Sequence, residues 1–234
     1  MPLVVLRLKT PRRRAIFRMH RMKDFLFLCF KTCFKNHNCL ILHTDNKNTV
    51  TNLHLEDIDI KFKACLTANF TGFLLECCVV CLDSQKHQSG VVLKAEKHTK
   101  NKIQNSFALN WQLVLNPIIR NTHTDVNRTT DFGAMCLALL LTNDIWADEG
   151  VWISSQQGEG VDFWLLNPNT LNPIARLEIS GIRKETARNT IGTRIKKKIA
   201  QTHQSDDSGA IAYISVIEFS KPSAIFIQKW QQQK

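Results

Sequence analysis

The sequence predicts an α+β protein: an N-terminal antiparallel β region over residues 46–118, then a C-terminal unit over residues 119–234 ordered helix, three strands, helix, strand. Three observations predict it. Apolar and polar residues alternate with a period of two from about residue 52 to residue 96, as half-buried strands require. The run RTTDFGAMCLALLLTND has the length and composition of a helix. After it come three strand-length apolar runs bounded by Gly, Asn or Pro, an amphipathic segment and one more apolar run.

In the first half, LHLEDIDIKFKACL, FTGFLLECCVVCL and GVVLKAEK read as successive strands of an antiparallel meander, the last two joined by the turn DSQKHQSG. Cys77, Cys78 and Cys81 act there as small hydrophobes in a half-buried strand. FALNWQLVLNPI supplies a further apolar segment, closed by Pro117, which lacks a backbone donor. His87 and His98, near the hairpin, read as solvated, and no chemistry is visible in this half.

In the second half, Thr129 or Thr130 is the expected N-cap of the helix, which puts Asp131 in the first turn, where the helix dipole favours an acid. VWISSQ, GVDFWLLN and ARLEISGI are the three strands, and the turn NPNTLNP joins the last two. KETARNTIGTRIKKKIAQTHQ reads as an amphipathic helix from Lys184 to His203, with Ile191, Ile195 and Ile199 in one row at i, i+4, i+8. AIAYISVIEF is a buried strand that stops at KPSA. Trp152 and Trp164 read as core or sheet-covering residues.

With 234 residues, 44% of them hydrophobic, the chain is long enough to bury a sizeable core, and the composition excludes a disordered protein. The formal charge of +11 is unevenly spread: residues 1–35 hold ten Lys or Arg and one acid, the remaining 199 residues 21 basic and 19 acidic. A basic surface over the whole protein is therefore excluded, and attraction to phosphate has to come from local clusters. Residues 1–45 read as a basic, poorly ordered leader. Its apolar run FLFLCF is too short for a signal-peptide core, it is poorer in Ser than a transit peptide, and Met19 and Met22 offer in-frame starts. No run of 18 apolar residues occurs, so a soluble, cytoplasmic protein without a membrane partner is expected. The eight cysteines are not spaced as a disulfide framework. Cys29, Cys33 and Cys39 with His37 and His43 have zinc-ligand chemistry but no CxxC knuckle, and read as reduced thiols.

The chemistry concentrates between Gly160 and Ser180. Asp162 and Glu178 sit on two short apolar strands joined by a turn, and carboxylates in such strands need a cation, a partner charge or water. Strand alternation places Arg176, Glu178 and Ser180 on one face. The element order, with an acid in the first helix, Asp162 on the second strand and Glu178-x-Ser180 on the third, resembles the conserved core of the PD-(D/E)XK nuclease superfamily over residues 126–225. The resemblance implies a restriction-endonuclease-like core with a mixed sheet, Mg²⁺ as cofactor, and phosphodiester hydrolysis in DNA or RNA. It further implies that Asp162 and Glu178 bind the metal, that Asp131 supports it through water, and that Asp162, Glu178 and Ser180 form the catalytic motif.

Ser180 departs from the pattern, which has lysine at that place to orient or activate the attacking water; a serine hydroxyl is a poor substitute. Either the amine comes from elsewhere, from Lys184 or from Lys196, Lys197 or Lys198, or hydrolysis is lost. Arg176, Lys184, Arg188, Arg194, Lys196, Lys197 and Lys198 are the expected nucleic-acid contacts, with a solvated helix face as the alternative for the basic helix. Arg176 has a second reading as a structural ion pair with Glu178 or Asp162. Two functions follow: a metal-dependent nuclease, or a catalytically inactive protein of that fold that binds nucleic acid or a protein partner.

Overall fold

The structure, a computed structural model, describes residues 49–63, 65–99, 102–145 and 150–229. The basic leader at 1–45, with Cys29, Cys33, Cys39, His37 and His43, lies outside the described residues. Strands β1 (Val50–His54), β2 (Val91–His98), β3 (Lys102–Asn110), β4 (Val151–Ser154), β5 (Phe163–Leu166), β6 (Pro173–Ile182), β7 (Ile211–Glu218) and β8 (Ser223–Lys229) form one mixed sheet in the order β1-β3-β2-β8-β7-β6-β5-β4. The described helices are α1 (Asp57–Phe62), α2 (Ala68–Ser84), α3 (Pro117–Thr122), α4 (Val126–Ile145) and α5 (Ile191–Thr202). The α+β class holds, and both halves of the chain share the sheet through the parallel pair β2–β8.

The N-terminal half is not an antiparallel meander. Only β2 and β3 pair antiparallel, and β1 lies parallel to β3. FTGFLLECCVVCL belongs to α2, a 17-residue helix, too long for a strand of ~4–8 residues. Where nearly every position is apolar, a period of two and a period of 3.6 fit equally, and length decides. Thr67 caps this helix by accepting the Phe70 N–H at 3.3 Å, and Leu74, Cys78, Cys81 and Leu82 bury the face that the helical period selects. LHLEDIDIKFKACL also divides: β1 ends at His54, and α1 follows with Asp57 and Asp59 in its first turn and Ile58 and Phe62 buried. Pro117 opens α3 rather than closing a strand, behind an Asn116 cap whose Oδ1 accepts the Ile119 N–H at 2.9 Å.

The second half follows the expected order and adds β8, which the sequence reading missed. β4, β5 and β6 form an antiparallel meander, and β7 lies parallel to β6 after α5. α4 starts earlier than expected: Asp125 Oδ1 accepts the Arg128 N–H at 3.0 Å, so Asp125 is the cap. Thr129 and Thr130 are buried and turn their hydroxyls to the carbonyls of His123 and Val126, which leaves Asp131 beyond the first turn.

The principal core joins α2 and α4 to one face of the sheet, with Leu137, Leu141, Leu177, Ile179 and Phe226 among its buried members. On the other face, Ile182, Ile214 and Val216 meet the expected row Ile191, Ile195 and Ile199 of α5. α5 begins only at Ile191, where Thr190 and Thr193 form a capping box, so Lys184 and Arg188 lie in the preceding loop.

Candidate functional site

Strand β6 and helix α5 cross antiparallel, and their periods match. Every second residue of a strand advances ~6.6 Å and every fourth residue of a helix ~6 Å. Arg194 therefore stands over Ser180, Lys198 over Glu178 and Thr202 over Arg176. Arg194 Nη1 donates to Ser180 Oγ at 3.3 Å, while its Nε donates to Asn189 Oδ1 at 2.7 Å. Lys198 Nζ donates to Glu178 Oε1 and, at 3.2 Å, to Gln201 Oε1. The strand face that lacks a lysine at 180 thus receives two cations from the helix above it.

Asp162 lies one residue before β5. Extending the Phe163–Leu177 register places it opposite Glu178, and the Asp162 N–H donates to Leu177 O at 2.9 Å. Its Oδ2 accepts the Ile179 N–H at 2.7 Å. Glu178 is fully buried, and its Oε2 has no hydrogen-bond partner among the described residues. Burial first, then the Asp162 charge, pushes the Glu178 carboxyl up to about 7, with Lys198 opposing. Burial also raises Asp162, against the Ile179 amide and Lys198. Asp131 approaches from α4, accepting the Gly181 N–H at 3.2 Å, and its charge adds to the upward pressure on both acids. Gly181 is required at that contact, because a Cβ there would collide with the carbonyl of Thr130.

The buried, unpartnered Glu178 oxygen beside a second carboxylate fits a hard cation, and Mg²⁺ typically takes only one or two protein carboxylates, completing its shell with water and phosphate. Among the described residues no three His, Cys, Asp or Glu side chains gather into a group that could hold a metal ion. Asp162 and Glu178 are the pair that would hold the ion.

Arg176 belongs elsewhere. Although it shares the Glu178 face, it is 0% exposed and donates to Thr202 O (3.1 Å), Ser205 Oγ (2.5 Å) and Asp206 Oδ1 (2.5 Å). It neither presents its guanidinium to a phosphate nor bridges Glu178 or Asp162, so both earlier readings of Arg176 are corrected: its pair is Asp206. Burial works to raise Asp206, but donors from Lys229, His203 and Arg176 overcome it and hold the carboxyl well below the usual range. The stability this contributes is present above the unfolded carboxyl pKa and is lost as pH falls towards the folded one. Asp206→Ala leaves a buried charge facing only a hydroxyl and a carbonyl, and should cost about 2–4 kcal/mol, a range lowered because Asp206 is 36% exposed. Arg176→Met should cost less, since Asp206 keeps Lys229 at 2.8 Å. Urea unfolding at neutral pH checks the order of the two.

Lys184, Arg188, Lys196 and Lys197 are exposed, on the loop before α5 and on α5 itself. A second constellation went unseen in the sequence: Cys77 Sγ lies 3.4 Å from His123 Nδ1, whose Nε2 lies 2.9 Å from Glu76 Oε2. It has the outline of a thiol relay without the reactivity, since Cys77 is fully buried and burial pushes its thiol up to about 12. Lys198 was one of several displaced-lysine candidates; the signal that singles it out is the i, i+4 pair Arg194–Lys198, matched to the i, i+2 pair 178–180. The chain has no significant match to any protein-family model, curated protein or solved structure.

Proposed function

We propose that the protein is a metal-dependent nuclease whose hydrolytic amine has moved from the strand to the following helix. The observation that carries this reading is the Lys198 amine seated on Glu178 beside Asp162. Supporting it, the β4–β6 meander followed by α5 and a parallel β7 follows the element order that the resemblance to the PD-(D/E)XK superfamily implies. Asp162 and Glu178 would hold Mg²⁺, which would supply neutralisation of charge on the phosphate under attack. Lys198 Nζ, steadied by Gln201, orients the attacking water and offsets negative charge as it develops. Arg194, fixed by Asn189 and Ser180, supplies a second cation on the same row for the phosphate.

The Lys198–Glu178 ion pair also favours one competing reading, an inactive protein of this fold in which the lysine neutralises the acid and the surface binds nucleic acid or a protein partner. Incubation of the purified chain with labelled DNA and RNA in Mg²⁺, Mn²⁺ or EDTA separates the two. Cleavage in either metal that stops in EDTA is expected. Intact substrate under every condition would transfer the assignment to the binding protein.

A further inference from the structure

Next to Asp162 lies a cleft of about 370 Å³, within the size range of ligand pockets, bordered also by Gln201, the acceptor of Lys198. Its apolar wall is made by the half-buried rings of Phe70 and Phe132, packed edge to face at 6.4 Å. Its polar rim is Gln156 and Gln157 on the β4–β5 loop. That loop is built in advance. Glu159 Oε2 accepts from Trp164 Nε1 at 2.7 Å and from the Gln156 N–H at 3.0 Å, Ser155 Oγ donates to Val161 O, and the Ser155 N–H donates to Asp162 O at 2.9 Å. Gly160 brings it against α5, where a Cβ would strike the Gln201 carbonyl. Arg128 stands 5.6 Å over the Phe132 ring, a cation beside the aromatic wall.

Aromatic faces, neutral amides that both donate and accept, and a flanking arginine are the chemistry that recognises a nucleobase and its phosphate. A paired base offers neither face to such a wall; an unpaired one offers both. Resting on the nuclease reading, we infer that this cleft holds an unpaired base of a single-stranded or locally opened nucleic acid, and so sets which phosphate reaches Asp162 and Glu178.

Fluorescence anisotropy in EDTA, where no metal-dependent cleavage occurs, tests the cleft independently of catalysis. The probes are labelled single-stranded DNA and RNA of about 15 nucleotides and the matching DNA duplex. At least one single strand should bind roughly tenfold or more tightly than the duplex, and Phe132→Ala should remove about that factor without weakening duplex binding. Gln157→Ala, on an exposed loop position where folding is not at stake, should weaken single-strand binding several-fold, roughly the contribution of one hydrogen bond. Equal affinity for duplex and single strand, or single-strand binding indifferent to both substitutions, overturns the inference. Metal-dependent cleavage of duplex that ignores both substitutions would defeat the cleft and leave the nuclease standing. Cleft-dependent binding without cleavage would do the reverse.

Discussion

Asp162→Asn and Glu178→Gln are each expected to lower Mg²⁺-dependent cleavage by about a thousandfold or more, the several kcal/mol that a correctly held metal supplies to a phosphoryl transition state. Both changes keep the shape of the side chain and remove one anionic oxygen. For Glu178 the stability should move the other way. A carboxyl raised from 4.5 to about 7 in the folded state favours folding below pH ~4.5, and that contribution is lost as pH rises through about 7. The buried charge is thus a burden on the alkaline side, and Glu178→Gln should be at least as stable as the parent at pH ~8 while being inactive. Cleavage assays paired with thermal melts read both quantities. Full cleavage in either variant would remove the metal site; a Glu178→Gln protein that melts early at alkaline pH would show instead that the carboxylate holds the sheet together.

The trade between stability and chemistry explains which parts of this chain the sequence disclosed. Strands β4 to β7 and helix α5 alternate in composition, are punctuated by Gly, Asn and Pro, and show one period at a time. Their order, and the Ile191–Ile195–Ile199 row, could be read residue by residue. Helix α2 could not, because LLECCVVCL satisfies two periods at once, and only burial against α4 on one side and the sheet on the other selects the helix. β8 was hidden for a different reason: its half-buried and buried residues alternate in SAIFIQK just after KP, a local stop signal that here marks only the turn between β7 and β8.

At the site, strand alternation put Glu178 and Ser180 on one face, and the adjoining strand put Asp162 alongside. Arg176 obeys the same alternation and yet serves a separate network, since what a side chain on that face meets depends on the helix register above it, four residues of α5 for every two of β6. That register is a tertiary fact. Its trace in the sequence, basic residues at 194 and 198, becomes legible only once the two elements are known to run antiparallel.

The same register yields the sharpest expectation for Lys198. Lys198→Ala should reduce cleavage by roughly 10²- to 10⁴-fold, the usual range for loss of a positioned acid–base group. It should also move the pH profile. Mg²⁺ loads only onto ionised Glu178, so at subsaturating metal the parent activity should rise with pH as that carboxyl ionises. Lys198 is the cation that draws the Glu178 carboxyl down against burial and Asp162, and its removal lets that carboxyl climb, so the residual activity of Lys198→Ala should rise at a more alkaline pH than that of the parent. A lysine that served only to pack α5 would lower activity without moving the midpoint. Ser180→Lys in the Lys198→Ala background adds the decisive arm, because it returns an amine to the strand face two residues from Glu178, where the vacated helix position makes room. The double variant should recover tenfold or more of the lost rate. No recovery, together with an unmoved pH midpoint in Lys198→Ala, would separate the helix amine from the chemistry and leave the acids without their hydrolytic partner.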